Sequence, residues 1–130
     1  MTTGSTLVLA AAGAASAKKA ERIVILDVSK QLVITDHFVI CHGNTDRQVR
    51  TIADEVESKL QTAHKRKPFR KEGKEQARWI LLDYVDFVVH VFHREDRDYY
   101  DLERLWADAG RVPFEDEGGP DARPAAAEAQ

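Results

Sequence analysis

The chain of 130 residues is 43% hydrophobic and 32% charged, and its formal net charge is −3. This size allows one modest hydrophobic core, so we expect a single soluble domain, and the near-neutral charge argues against a protein that coats polyanions. The single cysteine, Cys41, cannot form an internal disulfide, which fits a reducing, cytoplasmic location.

The N-terminal segment, residues 1–17, contains an alanine-rich apolar run that ends in the small residues Ala15 to Ala17. It differs from a secretory signal because no Lys or Arg precedes the apolar run, whereas Lys18 and Lys19 follow it. The run is also shorter than the roughly 20 residues that span a membrane. We predict a short helix packed on the domain, or a flexible segment.

Two strands and a helix are predicted next. Arg22 to Val28 (RIVILDV) is dense in β-branched residues, and a second apolar run extends from about His37 to His42 and stops at Gly43. Thr45, with Gln48 three residues later, forms a capping box at the start of a helix. The residues on one stripe of this helix are Val49, Ile52, Ala53, Val56, Leu60 and Ala63.

The stretch HKRKPFRKEGKEQAR, from His64 to Arg78, contains the structure breakers Pro68 and Gly73 and a cluster of lysines and arginines. It predicts a mobile basic loop. Two interpretations stay open for the part from Lys65 to Lys74: an RNA-binding module in which Phe69 stacks on a base, or an ordinary solvated surface loop.

A helix and a tail are predicted at the C-terminal end. REDRDYYDLERLWADAG has acids suited to a helix start, and Gly110 suits the position just after a helix end. Its apolar stripe consists of Tyr99, Leu102, Leu105, Trp106 and Ala109. Residues 114–130 are acidic and then rich in Gly, Pro and Ala, which is typical of a disordered tail.

The resulting order is helix, strand, strand, helix, strand, strand, helix. Because a helix crosses between strands, at least one pairing is parallel or next-but-one. We therefore predict an α/β fold: a mixed β-sheet with packed helices.

The stretch WILLDYVDFVVHVFH, Trp79 to His93, is predicted to be a β-hairpin with Val85 and Asp86 in its turn. In that register Ile80, Leu82, Tyr84, Phe87, Val89 and Val91 share one apolar face, which belongs against the helices. The pairs on the opposite face are Trp79 with Phe92, Leu81 with His90, and Asp83 with Val88.

The opposite face combines large apolar groups with polar atoms. An unpaired Asp83 costs a few kcal/mol if it is simply buried, and aromatic side chains on this face are too apolar to be left in water without a reason. A protein partner that covers the rings and supplies a cation satisfies both. The alternative is that the first or last helix of this chain covers the face.

Enzymatic and metal sites are poorly supported by the remaining residues. Asp83 and Asp86 suggest a metal-dependent nucleotidyltransferase, but GNTDR, Gly43 to Arg47, lacks the serine and second glycine of a phosphate-holding loop. The histidines lack zinc-type spacing, so neither a metal nor a cofactor is predicted. Cys41 and His42, as adjacent strand residues, point to opposite faces and cannot form a nucleophile–base pair.

Four segments together resemble the ribosomal silencing factor family, also called Iojap or RsfS. They are AERIVILDV, HFVICHGNTDRQVRTIADEVE, ARWILLDYVDFVVHVFHRE and RDYYDLERLWADA. The combination of TDRQV at a helix start, W-x-x-x-D-x-x-D-x-x-V-H-x-F and YY-x-LE-x-LW is specific, and the resemblance covers a domain of residues 18–113.

The resemblance implies a non-enzymatic factor that binds the large ribosomal subunit through its ribosomal protein number fourteen. Binding there blocks joining of the small subunit and represses translation under nutrient limitation. The family's domain is similar to a nucleotidyltransferase-like fold without the catalytic site, and its members can be homodimers when free.

Site residues follow from the resemblance and the hairpin together. The residues expected to bind the ribosomal protein are Trp79, Leu81, Asp83, Asp86, His90 and Phe92. The basic side chains expected at the rim, or in contact with ribosomal RNA, are Lys67, Arg70, Lys71 and Lys74. One departure from the family pattern is Val85, where glycine is usual, because a β-branched residue resists positive φ and the turn type is then in doubt.

Overall fold

The computed structural model describes residues 4–114, and within this range the chain forms a mixed, six-stranded sheet with packed helices. The helices are α1 (Gly4–Ala17), α2 (Asp46–His64), α3 (Arg94–Tyr100) and α4 (Leu102–Leu105). The strands are β1 (Glu21–Asp27), β2 (His37–Gly43), β3 (Arg70–Glu72), β4 (Trp79–Asp83), β5 (Phe87–His93) and β6 (Gly110–Arg111).

The strand order across the sheet is β3-β4-β5-β2-β1-β6. Strands β2 and β5 pair in parallel at the centre, while the other neighbours are antiparallel. The predicted mixed sheet is confirmed. The edge strands β3 and β6 were not predicted, because they are two or three residues long, exposed and without an apolar pattern.

Helices α1 and α2 cover one face of the sheet. The alanine-rich N-terminal segment forms α1, whose small buried side chains pack beside α2. The predicted stripe of α2 is buried from Val49 to Leu60, but Ala63 in the last turn is exposed. No helix among residues 4–114 is long and apolar enough to cross a membrane.

Only one of the two hydrogen bonds of the predicted capping box is present at the start of α2. The Thr45 hydroxyl accepts a hydrogen bond from the Gln48 backbone N–H at 3.0 Å, as expected for an N-cap. The Gln48 side chain instead reaches the backbone N–H of Asn44 at 2.8 Å, one residue before the cap. The Gln48 side chain therefore stabilises the helix start by binding the residue before the N-cap instead of the N-cap itself.

The C-terminal helix is shorter than predicted. It breaks at Asp101, whose φ of +49° ends α3, and α4 adds only four residues. Tyr99 and Leu105, expected on the buried stripe, are exposed. Gly110 does not cap a helix but pairs with β1 in strand β6.

The second face of the sheet carries a smaller core. Its fully or largely buried members are Leu26, Val28, Phe38, Ile40, Phe92 and Leu102. Trp106 of the segment after α4 packs against it, so this segment covers the β1–β2–β5 part of that face. Phe114, the first residue of the predicted disordered tail, packs against the first core, and the rest of that tail lies outside the described residues.

Candidate protein-docking interface

The β4–β5 hairpin has the predicted register. Trp79 pairs with Phe92, Leu81 with His90 and Asp83 with Val88. The Tyr84 backbone N–H donates to the Phe87 carbonyl at 2.9 Å and closes a two-residue turn. The alternating faces are therefore placed as the sequence predicts.

The turn resolves the doubt raised by Val85. Val85 has a φ of +78°, and the Asp86 backbone N–H donates to the Tyr84 carbonyl at 2.9 Å, so Val85 is the central residue of a γ-turn. The Asp83 carboxylate supports this backbone by accepting from the Val85 N–H at 2.8 Å. The valine adopts a strained conformation without shifting the strand register.

The first face of the hairpin is part of the main core, as predicted. Its inward side chains are Ile80, Leu82, Tyr84, Phe87, Val89 and Val91, all buried. The rings of Tyr84 and Phe87 stack with centroids 4.8 Å apart. This packing fixes the plane of the hairpin and so fixes where the opposite face points.

Trp79 organises the second face. Its indole N–H donates to Nδ1 of His90 at 3.1 Å, and its ring lies 4.8 Å from both the Phe92 and the Tyr100 rings, measured between centroids. Phe92 is completely buried, which corrects the expectation that it would touch a partner directly. Phe92 instead supports Trp79 from below.

His90 is buried and neutral. Burial lowers the pKa of its imidazole to about 4. Because Nδ1 accepts from the Trp79 indole, the neutral ring carries its proton on Nε2. That Nε2–H is buried and has no hydrogen-bond partner within the described chain.

The two acids of the hairpin do not converge. Asp83 lies 3.5 Å from Arg70, whereas Asp86 pairs with Arg66 at 3.1 Å on the other side of the turn. No group of three or more His, Cys, Asp or Glu residues among residues 4–114 is arranged to hold a metal ion. We call Trp79, Leu81, Asp83, Val88, His90 and Tyr100 the docking face.

The predicted basic loop is partly a β-strand, and three of its four predicted rim residues form ion pairs. It contains β3, which pairs with β4. Arg70 pairs with Glu72 and Asp83, Lys71 with Glu57, and Lys74 with Asp54 and Glu57. Of the four predicted rim residues, only Lys67 is exposed without an ion pair among residues 4–114.

A groove opens beside the docking face, and sequence reasoning missed most of it. We call it the hairpin groove, and its lining consists of Leu32, Ile34, Thr35, Phe38, Phe69, Arg70, Leu81, Asp83, Val85, Val88 and His90. The exposed side chains of Ile34 and Phe69 lie at its rim. The run LVI at residues 32–34, apolar yet between two polar breaks, was the available signal.

Cys41 and His42 lie on opposite faces, as predicted. Cys41 belongs to the main core, and burial raises the pKa of its thiol to about 12, so it is not a nucleophile. His42 faces the opposite side, where its Nδ1 lies 3.0 Å from Nη1 of Arg97. Burial and the Arg97 charge lower the His42 pKa, partly opposed by Glu21.

The chain is similar to several known proteins. A family model described as "Ribosomal silencing factor during starvation" matches residues 2–130. The chain is 48% identical over 105 residues to the ribosomal silencing factor RsfS of Halalkalibacterium halodurans, covering 81% of this chain and 89% of that protein. It is 30% identical over 91 residues to the Mus musculus protein named mitochondrial assembly of ribosomal large subunit protein 1, covering 68% of this chain and 40% of that protein.

A solved structure is also similar. The crystal structure of a protein from Chromobacterium violaceum matches with a TM-score of 0.79 and 31% sequence identity. The match covers 95% of this chain and 99% of that one. The fold described above is therefore one that a natural relative adopts over nearly its whole length.

Proposed function

The chain belongs to the ribosomal silencing factor family, and from this membership we propose that it binds the large ribosomal subunit through ribosomal protein number fourteen. We propose further that the bound protein blocks joining of the small subunit and so represses translation when nutrients are scarce. Members of the family are named as silencing factors, so the chain is a ribosome-associated silencing factor of translation and not an enzyme.

The name of the mouse relative refers to assembly of the large ribosomal subunit, which supports the large subunit as the partner. The structural observation that carries the proposal is the docking face. Trp79 is only partly buried there, and Tyr100 beside it is almost half exposed. An aromatic pair held rigidly by Phe92 and His90 suits the centre of a protein interface.

Charge supports a basic partner. Among residues 4–114, the ion-pair partners of Asp83 and Asp86 are Arg70 and Arg66, at 3.5 and 3.1 Å, and such partly exposed pairs are worth at most about 1 kcal/mol. A lysine or arginine of the partner can therefore replace Arg70 or Arg66 at little cost. Desolvation of the carboxylates would then be compensated within the interface.

Steric blocking of subunit joining requires binding but no catalysis by the chain. Covering the Trp79 and Tyr100 rings removes apolar area from water, and a buried aromatic ring of about 150–250 Å² contributes several kcal/mol before association costs. The bound domain then occupies space that the small subunit needs. The degree of inhibition should therefore depend on the ratio of protein to large subunits and not on the incubation time.

Co-sedimentation with purified large subunits tests the proposal. The wild-type protein should pellet with large subunits, and Trp79→Ala should bind at least about 30-fold more weakly, equivalent to about 2 kcal/mol. Leu9→Ala is the matched control, because Leu9 is a partly exposed apolar residue of α1 on the other side of the sheet. Failure of the wild type to bind would overturn the function, whereas wild-type binding by a folded Trp79→Ala protein would overturn only the site.

Subunit joining can be measured separately by light scattering after large and small subunits are mixed. Inhibition should saturate near one protein per large subunit and should be lost with Trp79→Ala. Inhibition that grows with incubation time at substoichiometric protein would contradict occlusion.

Two further properties follow from the same premise. We propose that the protein acts in the cytoplasm, where it meets ribosomes, and that it forms a homodimer when free. Analytical ultracentrifugation of the free protein across a concentration series tests the second statement. A sedimentation coefficient that stays monomeric at high micromolar concentration would contradict it.

A further inference from the structure

We propose that the hairpin groove is a peptide-binding site: it receives an extended segment of the docked protein, with an apolar side chain in the groove and backbone carbonyl oxygens bound by His90 and Thr35. This inference rests on the proposed function, since it assigns a role to a surface that adjoins the docking face. It adds a selective pocket to what is otherwise an aromatic and acidic patch.

The first observation is a pair of unsatisfied polar groups. Among residues 4–114, four buried side-chain nitrogen or oxygen atoms lack a hydrogen-bond partner: Thr35 Oγ1, His37 Nδ1, Tyr84 Oη and His90 Nε2. Two of these four, on Thr35 and His90, belong to residues that line this one groove. Both atoms are buried in the free protein, so a ligand pairs with them only after side chains of the groove shift, and the pairing then removes the cost of leaving them unsatisfied.

The second observation is the fixed tautomer of His90. Trp79 donates to Nδ1 and lies outside the groove, so the nitrogen on the far side of the ring, Nε2, carries the proton. A neutral imidazole held in this way can only donate at Nε2. The group that it binds must therefore be an acceptor, and Trp79 is the positioning residue that imposes this selectivity.

The third observation is the apolar character of the walls. Val85 is 55% exposed at the mouth of the groove in its strained conformation, and Ile34 and Phe69 at the rim are 79% and 76% exposed. The single cation in the lining, Arg70, is already paired with Asp83 and Glu72. Apolar walls and a neutralised cation suit an uncharged carbonyl of a peptide better than a phosphate of RNA.

The experiment removes one unpartnered hydroxyl at a time. Thr35→Val and Tyr84→Phe each delete a buried hydroxyl that has no partner in the described part of the chain and leave the side-chain shape nearly unchanged, but only Thr35 lines the groove. Both variants should unfold in urea at or above the wild-type midpoint. Thr35→Val should bind purified large subunits about 3- to 10-fold more weakly, as expected for one lost hydrogen bond, and Tyr84→Phe should bind like the wild type.

A second matched pair tests the apolar wall. Val33 and Ile34 are adjacent and both highly exposed, at 99% and 79%, but only Ile34 lines the groove. Ile34→Ser should weaken binding several-fold, whereas Val33→Ser should not. Equal effects of the two substitutions would overturn the groove as a specific site.

The outcomes separate the groove from the docking face. Binding that is lost with Trp79→Ala but unchanged by Thr35→Val and Ile34→Ser would overturn the groove and leave the proposed function standing. Absence of wild-type binding would overturn both. Weakening confined to Thr35→Val and Ile34→Ser, with Tyr84→Phe and Val33→Ser unaffected, would support the peptide site.

Discussion

Arg97 lies fully buried against His42, with its Nη1 3.0 Å from the His42 Nδ1, and it joins the segment after β5 to the start of the sheet. The same guanidinium pairs with Glu103 at 2.6 Å and donates to the Glu21 carbonyl at 3.2 Å. Because Tyr100 follows Arg97 in α3, this network also holds Tyr100 beside Trp79.

Arg97→Ala should lower the free energy of unfolding by about 3–5 kcal/mol, because it leaves Glu103 and His42 without their buried partner. Urea unfolding followed by circular dichroism measures this change. Arg94→Ala is the matched control, since Arg94 is an exposed arginine of the same helix, and it should stay within about 0.5 kcal/mol of the wild type. A loss below about 1 kcal/mol for Arg97→Ala would mean that the network is not structural.

Stability should fall as the pH falls through the range set by His90. Burial lowers its pKa from 6.5 to about 4 in the folded protein, so between these values the unfolded chain binds a proton that the folded chain does not. The free energy of unfolding should therefore decrease by up to ~1.4 kcal/mol for each pH unit below 6.5.

The contribution of His90 can be isolated by comparing the pH dependence of the wild type with that of His90→Phe. The variant should show a shallower slope between pH 6.5 and 4, and it should keep some slope because the pKa of His42 is also lowered by burial. Identical slopes in urea titrations at several pH values would show that His90 is not buried in its neutral form.

Val85→Gly should raise stability by about 1 kcal/mol. Glycine tolerates the φ of +78° that strains a β-branched residue, and this gain exceeds the entropy that glycine adds to the unfolded chain. Thermal unfolding measures the change. Val33→Gly, at an exposed valine without positive φ, should be neutral or slightly destabilising; a Val85→Gly protein no more stable than this control would contradict the strain.

The predicted contact with ribosomal RNA now depends on Lys67. Lys67→Ala should reduce the salt dependence of subunit binding by about one unit of the slope of log K against log salt. Lys74→Ala should instead cost about 1 kcal/mol of stability, because Lys74 lies 2.6 and 2.7 Å from Asp54 and Glu57. Unchanged salt slopes in both variants would remove RNA from the interface.

Local pattern predicted the hairpin well and the surrounding surface poorly. Alternation and a two-residue turn fix the register from Trp79 to His93, so every cross-strand pair could be predicted. The hairpin groove could not, because its far wall comes from the Leu32–Thr35 loop, which is held in place when the Asp36 N–H donates to the Asp86 carbonyl at 2.9 Å. Contacts between distant segments leave no periodic signal in either one.

The C-terminal helix was mispredicted for a different reason. A single stripe from Tyr99 to Ala109 assumes an unbroken helix, but Asp101 adopts positive φ and rotates the following turn. Arg97 then takes a buried position that apolar periodicity cannot indicate, because its burial depends on Glu103 and His42. Polar networks of this kind become visible only in three dimensions.

The parallel pairing of β2 with β5 at the centre of the sheet affects the order in which the strands pair during folding. His37 pairs with Phe87, about 50 positions along the chain, so the β4–β5 hairpin can form locally but gains its anchoring neighbour only when a long loop closes. The hairpin that carries the aromatic surface is therefore fixed in the sheet by a pairing that closes a much longer loop than its own turn. We therefore expect the complete surface to form when the whole domain folds, and not from the hairpin alone.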